Sequence, residues 1–266
     1  MQPNFLVVGG QRCGSTWLDS ALRGHPEIFL PARKQSYFFD INYHQGIDWY
    51  LERFAEAQLQ HKAIGEVATG YCLPHAVPRV ARHLPDARLV MSVRHPVDRA
   101  YSYYQSRAIV RGWSSFAQAL AAEPEILDRG RYIEQIEALL DAYPRDRLLV
   151  VNFEGLSKNG DAYLKNIFAF IGVATSFRSP QVGKVVQTAA FPGLRRTLRR
   201  FGAGGVIEMV GKSPLGDPLR RFLTRPNARR YPPMPAPLRA ELCAYFAPYN
   251  ERLARFTGWD LEHWDR

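Results

Sequence analysis

One stretch near the start decides most of what this chain can fold into: NFLVVGGQRCGSTWLDSAL, residues 4–22. Phe5 to Val8 form an apolar run without polar alternation, the pattern of a strand covered on both faces, as parallel sheets require. A glycine turn then leads into Trp17, Leu18, Ala21 and Leu22, apolar residues at helical spacing. Strand, tight turn and helix open a βαβ unit, because a parallel neighbour is reached only by a crossover. Gly9 and Gly14 stand at the spacing of the phosphate-binding loop G-x-x-x-x-G-K-[ST], with the hydroxyl of Thr16 in place. Ser15 stands where the lysine of that loop belongs.

The pattern repeats along the chain. IDWYLERF (47–54) reads as a short amphipathic helix, KAIGEV (62–67) as a weaker strand, PHAVPRVARHL (74–84) as a helix and ARLVMSV (87–93) as a strong strand. A helix follows from HPVDRAYSYYQSRAIV, another spans 131–143, and RLLVVNF (147–153) is a strand. Further helices are expected at 161–171 and 236–253. Alternation of this kind predicts one α/β domain over 1–266, a central parallel β-sheet flanked by helices. From 174 to 233 the pattern loosens into mixed Pro, Gly and Arg. A long irregular segment in a compact domain is functional or disordered, and 174–230 is expected to be a basic, lid-forming segment.

The 266 residues, 46% hydrophobic, build a core without staples. Cys13, Cys72 and Cys243 are far apart, with no C-x-x-C and no Cys/His cluster at zinc spacing. No disulfide framework and no metal are expected, and the pattern suits a reducing cytoplasm. Met1 to Gly10 are too short and uncharged for a signal peptide, and no apolar run approaches the ~20 residues that span a bilayer. The formal charge of +10 suits an anionic ligand as well as a merely basic surface.

Placement narrows that choice. A glycine turn between strand and helix aims backbone N–H groups at an anion, and the helix dipole adds to the attraction. Gly10, Gly14, Ser15 and Thr16 would donate, and Arg12 brings the charge. A nucleotide hydrolase also needs a Mg²⁺ ligand, typically an Asp at a strand end. Here the strongest strand runs into Arg94, which repels a cation and attracts a second phosphate. Ser102 lies eight residues on, where helical turns fold back over the strand end. Arg94 and Ser102 would then grip one phosphate.

Two anion sites on one α/β sheet, one of them a phosphate loop lacking its lysine, resemble the sulfotransferases that use 3′-phosphoadenosine 5′-phosphosulfate (PAPS). FFDINYHQGIDWYLERF, RGRYIEQIEALLDAYPRDRLLVVNFEGL and NARRYPPMPAPLRAELCAYFAPYNERL are similar to segments of the heparan-sulfate-type branch. The likeness covers roughly 5–172 and 226–264. The resemblance implies that Gln11, Arg12, Cys13, Gly14, Ser15, Thr16 and Trp17 hold the 5′-phosphosulfate and that Arg94 and Ser102 hold the 3′-phosphate. It also implies that Asn227 and Arg229 wrap the nucleotide, Asn227 replacing a usual lysine. A sulfuryl group would pass in line to a hydroxyl or amine of an acceptor, a carbohydrate or glycosylated small molecule, with a lipid, peptide or polyketide as the alternative. The product would be 3′-phosphoadenosine 5′-phosphate (PAP), with no metal required.

Heparan-sulfate-type enzymes take their base from a glutamate in a Lys/x-Glu-x-x-Phe-Phe segment. This chain reads KQSYFF, with Gln35 at the glutamate position, and an amide accepts no proton at neutral pH. The cytosolic branch takes its base from just after the second strand, and there Glu66 is the titratable group in GEVATGY apart from Tyr71. Glu66 is therefore the expected base, with an ion pair to Arg12 or Lys34 as the alternative. Gln35 would orient the acceptor, and Lys34 would meet the transferring sulfonate or an acidic acceptor. His44, Tyr132 and Gln135 are the candidate acceptor contacts, whereas His25 and His95, each before a proline, read as structural. The stripe GLRRTLRRFG (193–202) suits a lid, a seat for an anionic acceptor, a membrane-surface contact or a solvated face. The rivals are a Mg²⁺-dependent P-loop kinase or NTPase, a polyanion-binding module and an enzyme silenced by Gln35; no sequence-specific nucleic-acid contact is expected.

Overall fold

Five parallel strands form the centre of the computed structural model, which describes residues 1–183 and 233–265. Along the chain run β1 (Phe5–Gly9), α1 (Ser15–Arg23), β2 (Ile28–Phe29), α2 (Ile47–Leu51), β3 (Ala63–Val67) and α3 (Val77–His83). There follow β4 (Arg88–Val93), α4 (Pro96–Arg111), α5 (Phe116–Ala122), α6 (Glu125–Asp128), α7 (Tyr132–Ala142) and β5 (Leu148–Asn152). After these come α8 (Glu154–Lys158), α9 (Gly160–Ile171) and, beyond the undescribed stretch, the helix labelled here α10 (Ala236–Thr257). The expected lid-like segment and the arginine stripe at 193–202 fall largely or wholly outside the described residues.

The strand order is β2-β3-β1-β4-β5. Leu6 pairs with Glu66 on one side and Leu89 on the other, and Met91 pairs with Val150. Alternation along each strand sends side chains to opposite faces. Phe5, Val7, Val90 and Val151 pack with α1 and α9 through Leu18, Leu22, Ile167 and Phe168. Leu6, Val8, Leu89 and Met91 pack on the other face with Val80 of α3 and with Ile133 and Ile136 of α7. Each such side chain taken fully out of water stabilises the fold by about 1.5–3 kcal/mol. The expected doubly covered parallel sheet is what forms.

The crossover leaving β1 runs through α1 on one face, and the return to β5 runs through α7 on the other. The carboxyl ends of β1 and β4 therefore border the crevice where open α/β sheets bind ligands. A third cluster, with Val97, Tyr104, Phe116, Ile126 and Phe246, ties α4, α5, α6 and α10 together beside that crevice. The tail closes back on the end of β5: Trp264 is wholly buried, and its Nε1 donates to Glu154 Oε1 at 2.8 Å. Among the described residues no helix is long and apolar enough to cross a membrane.

Candidate active site

The loop after β1 is shaped by its neighbours. Gly14 has φ 78°, and a Cβ there would collide with the Phe153 ring, so only glycine fits. Arg12 adopts φ 69° without being glycine. Such strain costs about 1 kcal/mol or more and persists only where surrounding contacts over-determine it. One of those contacts is on the far side of the crevice: Arg12 Nε donates to Ser102 Oγ of α4 at 3.2 Å. The structure thus joins the loop to one member of the expected second anion site.

Helix α1 starts with no side-chain cap and no acidic residue in its first turn. Its amides and dipole are left for an external anion. Gly10, expected to donate to that anion, instead gives its N–H to the Ser92 carbonyl at 2.6 Å. Cys13 and Trp17 likewise turn their side chains away from the crevice. The Cys13 thiol is fully buried 3.4 Å from the Tyr132 hydroxyl, and the Trp17 indole donates to the Gln181 carbonyl at 3.1 Å.

The lysine absent from position 15 is replaced in space. Lys34, from the loop after β2, places Nζ 3.1 Å from Ser15 Oγ and 3.2 Å from Thr16 Oγ1. Burial pushes its ammonium below the usual lysine range; Asp19 opposes this, and Arg12 and Arg23 add to it. The Arg12 guanidinium is held below its ordinary value first by burial and then by the charges of Arg94 and Arg107. Arg94 extends from the end of β4 with its guanidinium 5.7 Å from the Phe153 ring centroid. Arg99 is wholly buried, donates through Nη2 to the Ile126 carbonyl, and leaves Nε and Nη1 without partners among the described residues. Among the described residues none of Arg12, Arg94, Arg99 and Arg107 forms an ion pair with a carboxylate. Cations crowded this way without counter-charge are arranged for a bound polyanion.

The segment carrying Lys34 and Gln35 is pinned from beneath. Glu66 Oε1 accepts from the Ser36 amide, and Oε2 accepts from Ser36 Oγ and Tyr71 OH, each at 2.9 Å. Tyr71 OH also receives the Phe38 amide at 3.1 Å, and Phe38 and Phe39 pack beside Tyr50. Tyr37 takes φ 58°, and its carbonyl accepts from the amides of Ile41 and Asn42. Glu66 has no exposed surface. Its placement corrects the expectation of a base facing the acceptor: both oxygens are already bonded inside the core, and no ion pair to Arg12 or Lys34 forms. Burial raises its carboxyl above the usual range, against the pull of the Ser36 and Tyr71 hydrogen bonds.

A raised carboxyl value in the folded state has a measurable sign. The folded protein holds the Glu66 proton over a range where the unfolded chain has released it. The stability contributed by this group is full below the ordinary carboxylate value and declines as pH climbs through the folded one. Glu66→Gln cannot titrate, so wild type should melt progressively lower relative to that variant as pH rises above the ordinary carboxylate value. Parallel melting curves for the two proteins across that range would contradict the buried, raised carboxyl.

The sequence model of the sulfotransferase domain family matches residues 2–197. The chain belongs to the sulfotransferase family. The human protein named bifunctional heparan sulfate N-deacetylase/N-sulfotransferase 2 is 29% identical over 276 residues, covering 95% of this chain and 29% of that protein. The mouse protein named as the type 3 homologue is 26% identical over 290 residues, covering 99% of this chain and 31% of its own length. The chain thus spans about three-tenths of these relatives. The crystal structure of a sulfotransferase from Alicyclobacillus acidocaldarius superposes with a TM-score of 0.72 at 25% identity, over 100% of both chains. A sulfotransferase domain from the Synechococcus PCC 7002 olefin synthase shares the fold, with a TM-score of 0.55 at 19% identity, over 98% of this chain and 96% of that one.

In this sulfotransferase the expected acceptor contacts separate. Tyr132 is 1% exposed and sits behind the loop against Cys13, which corrects its reading as an acceptor contact. Gln135 is corrected in the same way, since it is buried, accepts from the Cys72 thiol at 3.1 Å and donates to the Asp128 carbonyl. His44 is exposed and pairs with the Gln45 amide at 2.9 Å. Gln35 is half-buried beside Lys34. Asn227 and Arg229 lie outside the described residues. Sequence reasoning missed Arg99 and Arg107; their signal was an arginine one helical turn before, and another five residues after, Ser102 in the same helix.

Proposed function

We propose that this sulfotransferase moves a sulfuryl group from PAPS to a hydroxyl or amine of a carbohydrate or glycosylated small molecule. The observation that carries the reading is the convergence of Arg12, Lys34, Ser102 and the open first turn of α1 at one crevice, with no carboxylate among the described residues paired to its arginines. In this reading the first-turn amides, Ser15, Thr16 and Arg12 hold the 5′-phosphosulfate, and Arg94 with Ser102 holds the 3′-phosphate. Gln11 lies in the same loop, and Asn227 and Arg229 would approach from the C-terminal side. The bound nucleotide supplies the sulfuryl group; the chain supplies position and charge. Arg12 and Lys34 meet the charge that develops on the leaving phosphate oxygen. Glu66 acts through Ser36, fixing the segment that presents Lys34 and Gln35. The carbohydrate class rests on the named activity of the heparan sulfate relatives. A cytoplasmic location suits three free, buried cysteines, with Cys72 pushed up to about 12 by burial.

Calorimetry and transfer assays test this together. PAP should bind without magnesium, and labelled sulfate should move from PAPS to an N-unsubstituted or unsulfated oligosaccharide. Thermal stabilisation by Mg²⁺-ATP but not by PAP would favour the kinase reading. Binding of any polyanion with steep salt dependence, unaffected by Arg94→Ala, would favour the polyanion module. Lys34→Met should lower kcat about tenfold while PAP affinity changes about threefold or less, since its ammonium acts on charge that builds during transfer. An unchanged kcat would remove Lys34 from the reaction.

A further inference from the structure

Sulfuryl transfer as proposed above needs a group that takes the acceptor's proton, and the two nearest sequence candidates do not provide one. Gln35 is an amide, and Glu66 is sealed beneath Ser36 and Tyr71. A different pair stands at the same edge of the sheet. His75 Nε2 lies 2.7 Å from Asp40 Oδ1. Asp40 belongs to the segment that follows β2 and carries Lys34; His75 belongs to the segment that follows β3, the strand of Glu66, and carries Tyr71. The two segments are locked together, because Ser36 Oγ and Tyr71 OH meet at 2.8 Å. The second segment packs on the strand that leads into the anion loop, since the Cys72 amide donates to the Val8 carbonyl at 3.1 Å and the Cys72 thiol occupies the space that a side chain on Gly9 would need.

The pair is held more firmly than a surface ion pair. The Asp40 carboxylate occupies the space that a side chain on Gly70 would need. Arg79 Nη1 donates to the carbonyls of Phe39 and Asp40 at 3.0 and 3.1 Å, fixing the backbone beneath it. Side-chain exposure is 16% for Asp40 and 50% for His75, so the carboxylate is sheltered and the imidazole is open to a ligand. In the neutral ring, Nε2–H donated to Asp40 would leave Nδ1 as the accepting nitrogen, and Nδ1 has no hydrogen bond among the described residues. A sheltered carboxylate that sets the tautomer of a half-exposed imidazole is the arrangement of a general base.

We infer that the His75–Asp40 pair is the proton acceptor for the sulfated nucleophile, standing in for the carboxylate that Gln35 replaces. The inference rests on the sulfuryl-transfer reading. The acceptor oxygen or nitrogen forms its bond to sulfur as the bond from sulfur to the phosphate oxygen breaks. That electron pair stays on the phosphate oxygen, facing Arg12 and Lys34. The acceptor's proton passes to His75 Nδ1, Asp40 stabilises the imidazolium, and the proton then leaves to solvent.

The test uses the full chain and the variants His75→Gln, Asp40→Asn and His75→Gln/Gln35→Glu. His75→Gln should lower kcat about 10²-fold, with acceptor KM and the calorimetric PAP affinity unchanged within about twofold. Restoring a carboxylate in the double variant should recover about tenfold of that loss, which a merely structural histidine would not allow. ¹⁵N NMR of wild type should show His75 protonated at Nε2 and bare at Nδ1, a preference lost in Asp40→Asn. A His75→Gln protein that binds PAP and turns over like wild type overturns the pair and leaves the proposed function standing. So does an equal fall in kcat and PAP affinity without rescue by Gln35→Glu. A wild type that neither binds PAP nor transfers sulfate overturns both.

Discussion

Replacing Arg12 with alanine is expected to cut kcat about a thousandfold, close to ~4 kcal/mol of lost transition-state stabilisation. The guanidinium is the charge most committed to the loop: it is half-buried, it repels and is repelled by Arg94 and Arg107, and its Nε is anchored on Ser102. A cation held under such repulsion costs stability without ligand and returns it where negative charge grows. For the same reason the ligand-free Arg12→Ala protein should melt no lower than wild type, since removing the charge relieves its neighbours. Alanine still pays the cost of φ near 69°, so the drop in kcat has to be separated from folding by that melting curve. Arg12→Lys should recover part of the rate, because an ammonium keeps the charge but loses the planar fork. Steady-state kinetics with saturating PAPS decides the matter. Equal losses in kcat and in acceptor binding would contradict a role at the leaving oxygen.

Arg94→Ala should raise the Kd for PAP about a hundredfold, or ~2.7 kcal/mol, in line with a charged hydrogen-bonded contact. Arg94 stands at the carboxyl end of β4 over the Phe153 ring, with no carboxylate partner among the described residues. Adenosine 5′-phosphate, which lacks the 3′-phosphate, should bind wild type and Arg94→Ala about equally, since the contact it would miss is the one removed. Calorimetry with both nucleotides reads the difference directly. If Arg94→Ala weakens the two equally, the 3′-phosphate is held elsewhere.

The parts of this molecule that a linear reading reaches are those encoded over a few consecutive residues. The buried strand and glycine turn at 5–14, the strand at 87–93 and the helix carrying Ser102 all form where periodicity and glycine spacing point. His25 and His95, read as structural, accept the amides of Glu27 and Val97 through Nδ1. The two-residue β2 was not legible, because Ile28 and Phe29 sit between Pro26 and Pro31 and pair with β3 through only two positions. α5, α6 and α8 are too short for periodicity to show. At the site, what was missed is contact across sequence distance. Nothing local to KQSYFF says that Lys34 reaches Ser15 and Thr16, or that Asp40 meets His75. Glu66 misled for the opposite reason: its position one residue from the end of a fully covered strand signalled burial, and its titratable chemistry drew the eye instead.

Phe153 touches both halves of the crevice, its edge filling the space above Gly14 and its face lying beneath the Arg94 guanidinium. On the proposed reading, this single ring would set the spacing between the groups that hold the nucleotide's two ends. A smaller side chain there would open the space above Gly14 and take away the aromatic face beneath Arg94 at one stroke, so on that reading one substitution would loosen both ends of the site.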